Sequence, residues 1–259
     1  MAESFVRIER EEAVATVTVD RPSKLNALTP SMLDELECAA RTLEADGEVR
    51  VVILTGGGNK AFCVGADINE WAALRPLDMW RRWVRRGHQV FDQWARLRQP
   101  VITAINGHAF GGGLELAITG DVRLTADKAT FALPEASIAT CPGWSGTQRL
   151  VKLIGASHAK YLALSGVRVP ASSALGSGLV HEVVEGTALL ERARALAEDM
   201  AGKAPVSVQL TKQLINAAVG EDAASTLEAM AGALAATTDD AAEGIRSFRE
   251  KRQAAYLGH

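Results

Sequence analysis

Short runs rich in β-branched residues recur along the first 187 residues, and apolar residues at helical spacing fill the stretches between them. The runs cover residues 49–55, 101–105, 122–125 and 180–184. Continuous apolar runs of this length are typical of strands buried on both faces. Strands that alternate with helices favour an α/β or mixed core over an all-β sandwich.

The N-terminal region carries clear start and stop signals. Residues 5–9 and 13–19 alternate apolar with polar side chains on either side of a polar turn, which predicts a β-hairpin. Thr29 is a good N-cap and Pro30 fits the first helical position. The helix that they start is predicted to end at residues 46–47, where Asp and Gly follow the last apolar position.

The chain changes character at residue 188. Alanine-rich helical stretches follow over residues 188–202, 206–219, 226–236 and 240–255, with no strand pattern between them. We therefore predict two regions, a core of residues 1–187 and a helical region of residues 188–259. From the pattern alone, the helices either cover their own core or pack on another subunit.

Composition excludes several classes of partner. The chain has 28 Lys and Arg against 31 Asp and Glu, a formal net charge of −3, so no basic surplus favours nucleic acid or an anionic membrane. No apolar run reaches the roughly 18 residues of a membrane span. Cys38, Cys63 and Cys141 are odd in number and lack CxxC spacing, which favours free thiols. We expect a soluble cytoplasmic protein.

Four familiar site patterns fail on inspection. The Gly-rich segment that ends at Lys60 is followed by alanine where a phosphate-binding loop has Ser or Thr, and Leu116 stands where a dinucleotide fingerprint has its last glycine. A nucleophile elbow around Ser145 would require glycine at Thr147. The five histidines are scattered without metal-ligand spacing, so no catalytic metal is expected.

Two glutamates stand in segments that hold the backbone tightly. Glu115 follows the triple glycine of residues 111–113, and Glu135 follows Pro134. Glycine lets backbone N–H groups approach a ligand, and N–H groups at a helix start favour developing negative charge. Taken singly, each carboxylate is typical of a structural residue. Together they indicate acid/base chemistry on an enolate.

Four of the five tryptophans lie in residues 71–94, together with Arg75, Arg81, Arg82, Arg85 and Arg86. The segment is predicted to be either an amphipathic helix with aromatic residues in the core or a lid that shapes an acyl pocket.

Five segments, in order, resemble the crotonase superfamily, and within it the enoyl-CoA hydratases most closely. They are residues 21–28 (RPSKLNAL), 61–68 (AFCVGADI), 106–116 (NGHAFGGGLEL), 142–150 (PGWSGTQRL) and 243–252 (EGIRSFREKR). The resemblance implies a mixed α/β fold, with a spiral of ββα units and a C-terminal helical trimerisation region. It also implies a homotrimer, or a hexamer formed by two trimers.

The resemblance assigns the chemistry residue by residue. The N–H groups of Ala66 and Gly112 match the oxyanion hole that grips a thioester carbonyl. Glu115 and Glu135 match both catalytic glutamates of the hydratases, which favours hydration of a short-chain trans-2-enoyl-CoA thioester. Glu115 is expected to orient water as the base and Glu135 to protonate the α-carbon, although the two roles could be exchanged. Coenzyme A belongs to the substrate, and no separate cofactor is expected.

The resemblance also places coenzyme A and the acyl chain. Asn69 stands where many hydratases have lysine, and Lys60 or the pair Lys251 and Arg252 are candidates to reach phosphate. Trp144 with Pro142 and Gly143 is expected at the acyl pocket, where an indole favours a short or planar acyl group; burial of Trp144 in the core is the alternative. The residues expected along coenzyme A are Lys24, Ala27, Leu28, Ala66, Asp67, Ile68, Asn69 and Gly112.

The sequence leaves other functions open. The nearest enzymes are other crotonase reactions, such as that of carnitinyl-CoA dehydratase, which residues 106–110 and 131–136 also resemble, or of a Δ3-Δ2-enoyl-CoA isomerase. An acyl-CoA-binding assembly protein and an RNA-binding homologue are the non-catalytic alternatives. The glutamate pair argues against the first of these, and the negative net charge argues against the second.

Overall fold

Strands of the described chain form two sheets, and helices fill the connections between them. The computed structural model describes residues 4–259. Its strands are β1 (Val6–Glu11), β2 (Val14–Val19), β3 (Val51–Gly56), β4 (Ala61–Cys63), β5 (Val101–Ile105), β6 (His108–Phe110), β7 (Val122–Ala126), β8 (Thr130–Ala132), β9 (Val169–Pro170) and β10 (Glu182–Val184). Its α-helices are α1 (Pro30–Ala45), α2 (Ile68–Trp71), α3 (Pro76–Asp78), α4 (Arg85–Ala95), α5 (Gly112–Ala117), α6 (Gly146–Ser165), α7 (Ala171–Gly176), α8 (Leu189–Ala201), α9 (Pro205–Ala218), α10 (Ala223–Ala236) and α11 (Asp239–Glu250).

The larger sheet has the order β1-β2-β3-β5-β7-β10 and is parallel except for the β1–β2 hairpin. Every residue of β3 and β5 is buried, which explains why their sequences are continuous apolar runs. The smaller sheet has the order β4-β6-β8-β9, and β4, β6 and β8 run parallel. The mixed α/β prediction is therefore confirmed.

From β3 to β8, successive strands alternate between the two sheets and so generate a spiral. The pairs β3–β4, β5–β6 and β7–β8 each contribute one strand to the larger sheet and the next to the smaller one, and helical segments lead to the following pair. The segments that run from β3 to β5 and from β5 to β7 each join parallel neighbours of the larger sheet. The carboxyl ends of β4, β6 and β8 consequently lie at one edge of the smaller sheet.

The first helix follows its sequence signals closely. The Thr29 hydroxyl accepts the N–H of Met32 at 3.3 Å, and Pro30 opens the helix. The helix ends at Ala45, and its apolar face is buried in the core. On the facing helix α4, the Trp94 indole donates to the Leu36 carbonyl at 3.0 Å. The predicted hairpin and helix are both confirmed.

The described chain divides into two compact units, the first running to Gln209 and the second comprising Leu210–His259. The last strand ends at Val184, close to residue 188, where the sequence changes character. Helix α8 nevertheless packs against β2, β3, β5 and β7, so it belongs to the core of the first unit. A trimerisation role for residues 188–259 stays a prediction. Within residues 4–259, no helix is both long enough and apolar enough to cross a membrane.

Candidate active site

Three chain segments meet at the carboxyl edge of the smaller sheet. Residues 64–67 leave β4, Gly111 and Gly112 leave β6 to begin α5, and residues 133–135 leave β8. In open α/β sheets, ligands bind beyond the carboxyl ends of parallel strands. The segments that carry Ala66, Gly112 and Glu135 are thus brought together by the order of β4, β6 and β8.

A cavity of about 230 Å³ opens at this edge. Its polar wall includes Glu115 and Glu135, and its apolar wall includes Trp71, Trp83 and Trp144. Trp83 and Trp94 are buried in the core, as the first alternative for residues 71–94 predicts. Trp71 and Trp83 line the cavity, and a lid over an acyl pocket stays a prediction.

The triple glycine allows backbone and side chains to approach closely. Gly111 has φ +51°, and a β-carbon there would lie 2.8 Å from Oε1 of Glu135. A β-carbon at Gly112 would lie 2.7 Å from the Trp144 indole. Larger residues would therefore displace either a carboxylate or the aromatic wall of the cavity.

The backbone beside Ala66 meets the backbone beside Gly112. A β-carbon at Gly65 would lie 3.1 Å from the Gly112 nitrogen. Leu28 donates to the Gly65 carbonyl and accepts from Asp67, both at 2.8 Å, so the intervening N–H of Ala66 is directed away from Leu28. Gly112 is the first residue of α5, where N–H groups have no intrahelical acceptor.

Glu115 is 2% exposed, and main-chain donors hold its carboxylate. The N–H groups of Trp144 and Gly146 both donate to Oε1 at 2.8 Å. Burial raises the pKa of Glu115, while these N–H groups, that of Gly143 and the charge of Arg149 oppose the rise. The net pKa lies above the ordinary value of a glutamate.

Glu135 is held differently from Glu115. It is 9% exposed, and within the described residues its Oε2 atom is buried without a hydrogen-bond partner. Burial, together with the charge of Glu115, raises the pKa of Glu135 to about 7. Two carboxyl groups with different donors therefore face one cavity, which suits one group acting as base and the other as acid.

Trp144 is buried and also lines the cavity, and its contact with an acyl group stays a prediction. The indole is 3% exposed and packs with ring centroids 5.2 Å from both Trp83 and Phe91. Its Nε1 atom donates to the Trp83 carbonyl at 3.4 Å. Trp144 and Gly143 also line the cavity, whereas Pro142 is not part of the wall.

The residues expected along coenzyme A divide between surface and interior. Lys24, Ile68 and Asn69 are exposed, while Ala27, Leu28 and Asp67 are buried. The Asp67 carboxylate pairs with Arg21 at 2.7 Å and caps α2, which is a structural role. Of the residues considered for phosphate, Lys60 is exposed. Arg252 pairs with Glu243 at 2.6 Å within the second unit.

The sequence did not predict a polar cluster of His88, Asp92, Ser145 and Arg149, which lies next to the residues that donate to Glu115. The Ser145 hydroxyl donates to Oδ1 of Asp92 at 3.0 Å and lies 3.1 Å from Nδ1 of His88. Arg149 donates to the same Asp92 oxygen at 2.8 Å. His88 and Asp92 are four residues apart, as are Ser145 and Arg149; this one-turn spacing was the available signal.

The chain is similar to enoyl-CoA hydratases in sequence and in structure. The family described as enoyl-CoA hydratase/isomerase matches residues 9–259. The chain is 39% identical to the short-chain-enoyl-CoA hydratase of Clostridium acetobutylicum, covering 96% of this chain and 95% of that protein. It is 36% identical to the crotonyl-CoA hydratase of Syntrophomonas wolfei, covering 99% of both. A crystal structure of enoyl-CoA hydratase from Bacillus anthracis superposes with a TM-score of 0.82 at 36% identity, covering 99% of this chain and 100% of that one.

Proposed function

The chain belongs to the enoyl-CoA hydratase/isomerase family of crotonase-type enzymes, and from that premise we propose that it hydrates short-chain trans-2-enoyl-CoA thioesters to 3-hydroxyacyl-CoA. The observation that carries this proposal is the pair of buried carboxyl groups, Glu115 and Glu135, on one small cavity. Addition of water to a conjugated thioester needs a base for the water and an acid for the α-carbon. Two carboxyl groups in different environments supply both.

The N–H groups of Ala66 and Gly112 form the proposed oxyanion hole. As water adds to the β-carbon, negative charge moves onto the thioester oxygen, and fixed donors stabilise that charge without reorganising. Two observations support this assignment. The N–H of Ala66 points away from Leu28, and the N–H of Gly112, at the start of α5, has no acceptor within its helix. The close contact of residues 65 and 112 supports a single site for both donors.

Glu115 is the proposed base, and Glu135 is the proposed acid. Main-chain donors to Oε1 stabilise an ionised Glu115 and leave its other oxygen to take a proton from water. The remaining hydroxide oxygen bonds to the β-carbon, the double bond becomes an enolate, and Glu135 gives its proton to the α-carbon. With a pKa of about 7, Glu135 carries a proton in about half of the molecules at neutral pH, far more than a glutamate of ordinary pKa would. Transfer of the proton from Glu115 to Glu135 then restores the pair.

The preference for short acyl chains rests on the cavity. At about 230 Å³ with an indole wall, it suits a short acyl group. In the proposed complex, coenzyme A runs along Lys24, Ala27 and Leu28 and along residues 66–69. Coenzyme A arrives as part of the substrate, so the reaction as proposed needs no further cofactor.

Assembly into a trimer, or a hexamer of two trimers, is also proposed. Large apolar side chains are exposed on the helices of the second unit, which is unusual for a surface that meets only water. They include Leu214, Ile215, Leu227, Leu234 and Phe248. The enzyme is proposed to act in the cytoplasm.

Loss of the conjugated-thioester absorbance of crotonyl-CoA tests the proposed reaction. Wild-type protein is expected to remove it rapidly, and Glu115→Gln and Glu135→Gln are expected to lower the rate by at least about 100-fold while retaining the fold. Glu48→Gln, at an exposed position, serves as the matched control. A folded wild-type protein that leaves crotonyl-CoA unchanged, but shifts the double bond of a 3-enoyl-CoA or dehydrates carnitinyl-CoA, would assign another crotonase reaction.

A further inference from the structure

The loop that holds Glu115 turns through a residue in an unusual conformation. Ser145 has φ +75° and ψ 5°, in the left-handed region. Residues other than glycine adopt this region only at a steric cost, so their surroundings must stabilise the conformation. This turn has a specific geometry: residues 144 and 146, on either side of Ser145, both direct their N–H groups to the same oxygen of Glu115. Backbone turns of this kind form anion-binding concavities.

The Ser145 side chain points away from the cavity and toward α4. The residue is 4% exposed and is not part of the cavity wall. Its hydroxyl donates to Asp92 Oδ1 at 3.0 Å and lies 3.1 Å from His88 Nδ1. Since the hydroxyl proton is directed to a carboxylate outside the cavity, Ser145 is not placed to attack a thioester.

Asp92 is a strong hydrogen-bond acceptor for this hydroxyl. Burial acts to raise its pKa, but the hydrogen bond and charge of Arg149, with the Ser145 hydroxyl and His88, bring the pKa below the ordinary value of an aspartate. Asp92 therefore stays ionised, and a hydrogen bond to an ionised acceptor is stronger than one between neutral groups. Arg149 lies in the first turn of the helix that Ser145 caps, so α4 and the start of α6 are tied at two points.

We propose that Ser145 is a positioning residue, whose hydroxyl bond to Asp92 fixes the left-handed turn that aims two N–H groups at Glu115 and thereby sets the strength of Glu115 as a base. This inference rests on the proposed function only for its effect on turnover. The arrangement of Ser145, Asp92 and Glu115 is independent of it.

Removal of the hydroxyl has a defined consequence. A turn that is no longer tied to α4 relaxes, and the N–H groups of Trp144 and Gly146 move away from the buried carboxylate. The ionised form of Glu115 then loses stabilisation, so its pKa rises further. The other charged groups that face this region are Glu135 across the cavity, Arg149 on α6, and His88, Asp92 and Arg96 on α4. A substitution at Ser145 retains all of these side chains, and of them only Asp92 and His88 lose a hydrogen-bond partner.

Two variants separate the effect of the hydroxyl from the effect of the backbone conformation. Ser145→Ala removes the hydroxyl and retains the steric cost of the turn, whereas Ser145→Gly removes both. Each is expected to lower kcat for crotonyl-CoA about 10-fold with KM changed less than about twofold, and to move the acid limb of the pH profile up by about one unit. Ser177→Ala is the matched control, because Ser177 donates to the Ala174 carbonyl away from the site.

A second measurement does not depend on turnover. Isotope-edited infrared titration of labelled glutamate carboxyl groups, with the Glu115 band assigned by Glu115→Gln, reports the titration midpoint directly. Both Ser145 variants are expected to raise it. An unchanged midpoint and acid limb in both, or wild-type behaviour in Ser145→Gly, would overturn the proposal. Failure of wild-type protein to hydrate crotonyl-CoA would overturn the proposed function, and the infrared midpoints would still decide the role of Ser145.

Discussion

Gly87 on α4 leaves the space that the indole of Trp144 occupies, since a β-carbon at position 87 would lie 2.1 Å from its Nε1 atom. The indole in turn lies against Gly112, whose N–H belongs to the proposed oxyanion hole. A helix that contributes no group to the reaction therefore determines where the wall of the cavity stands.

Gly87→Ala is expected to displace this indole. Overpacking of a core typically costs about 1–3 kcal/mol, and the better helix propensity of alanine returns at most about 1 kcal/mol. We expect a net loss of about 1–2 kcal/mol in the free energy of unfolding by urea, accompanied by slower hydration of crotonyl-CoA. Gly232→Ala is the control, because a β-carbon there meets nothing within 4 Å. Equal stability of the two variants would contradict the prediction.

Trp144→Ala is expected to change which acyl chains are accepted. Each methylene buried in an apolar pocket contributes about 0.8 kcal/mol. The ratio of kcat/KM for trans-2-octenoyl-CoA over crotonyl-CoA should therefore rise by about 10-fold or more in the variant. Because Trp144 is a buried indole, the same change should cost about 3–5 kcal/mol of stability. The ratio is measured within one variant, so reduced stability does not obscure it. Trp80→Ala, at an exposed tryptophan, should leave the ratio unchanged.

Glu135→Gln is expected to change how stability depends on pH. The folded pKa of Glu135 is raised to about 7 from 4.5, so between these values the folded protein binds more protons than the unfolded chain. Wild-type protein therefore loses stability as pH rises from 4.5 through 7, by about 1–3 kcal/mol from this group. The variant should match wild type near pH 4.5 and exceed it at pH 8 in denaturant unfolding. A stability difference that stays constant across this pH range would show that ionisation of Glu135 is not its source.

The buried cysteine should react differently from the two exposed ones. Cys141 and Cys38 are exposed, whereas Cys63 is buried, and that burial raises its pKa to about 12. N-ethylmaleimide is expected to label the two exposed thiols of native protein and to spare Cys63, as measured by peptide mass spectrometry. Because Cys141 lines the cavity, its alkylation should abolish hydration. Cys141→Ser should protect activity and Cys38→Ser should not; inactivation that persists in Cys141→Ser would place the sensitive thiol elsewhere.

The sequence predicted the larger sheet well and the smaller sheet not at all. Long buried runs such as those of β3 and β5 carry a clear pattern, and Thr29 with Pro30 marks the start of α1. Strands β4, β6 and β8 have three residues each, too few for any periodicity to be detected. These short strands lead into the segments of the candidate site, so its assembly was expected only from the family resemblance.

The role of Ser145 was hidden for a different reason. Its local sequence fails as a nucleophile elbow, and its partners His88 and Asp92 lie more than fifty residues earlier on α4. Only the packing of α4 against the start of α6 brings them together. The segments of the glutamates, in contrast, are recognisable locally, because the triple glycine ends two residues before Glu115 and Pro134 directly precedes Glu135.

Residues 66, 112 and 135 come from three successive turns of the spiral, each stacked on the one before. No single turn holds two of them, so all three residues meet only when all three turns have formed. Contacts between residues so distant in sequence form late in folding, because long loops must close first. Reactivity toward a thioester would thus appear only in molecules whose spiral is complete, and a nascent or partly unfolded chain would be chemically silent.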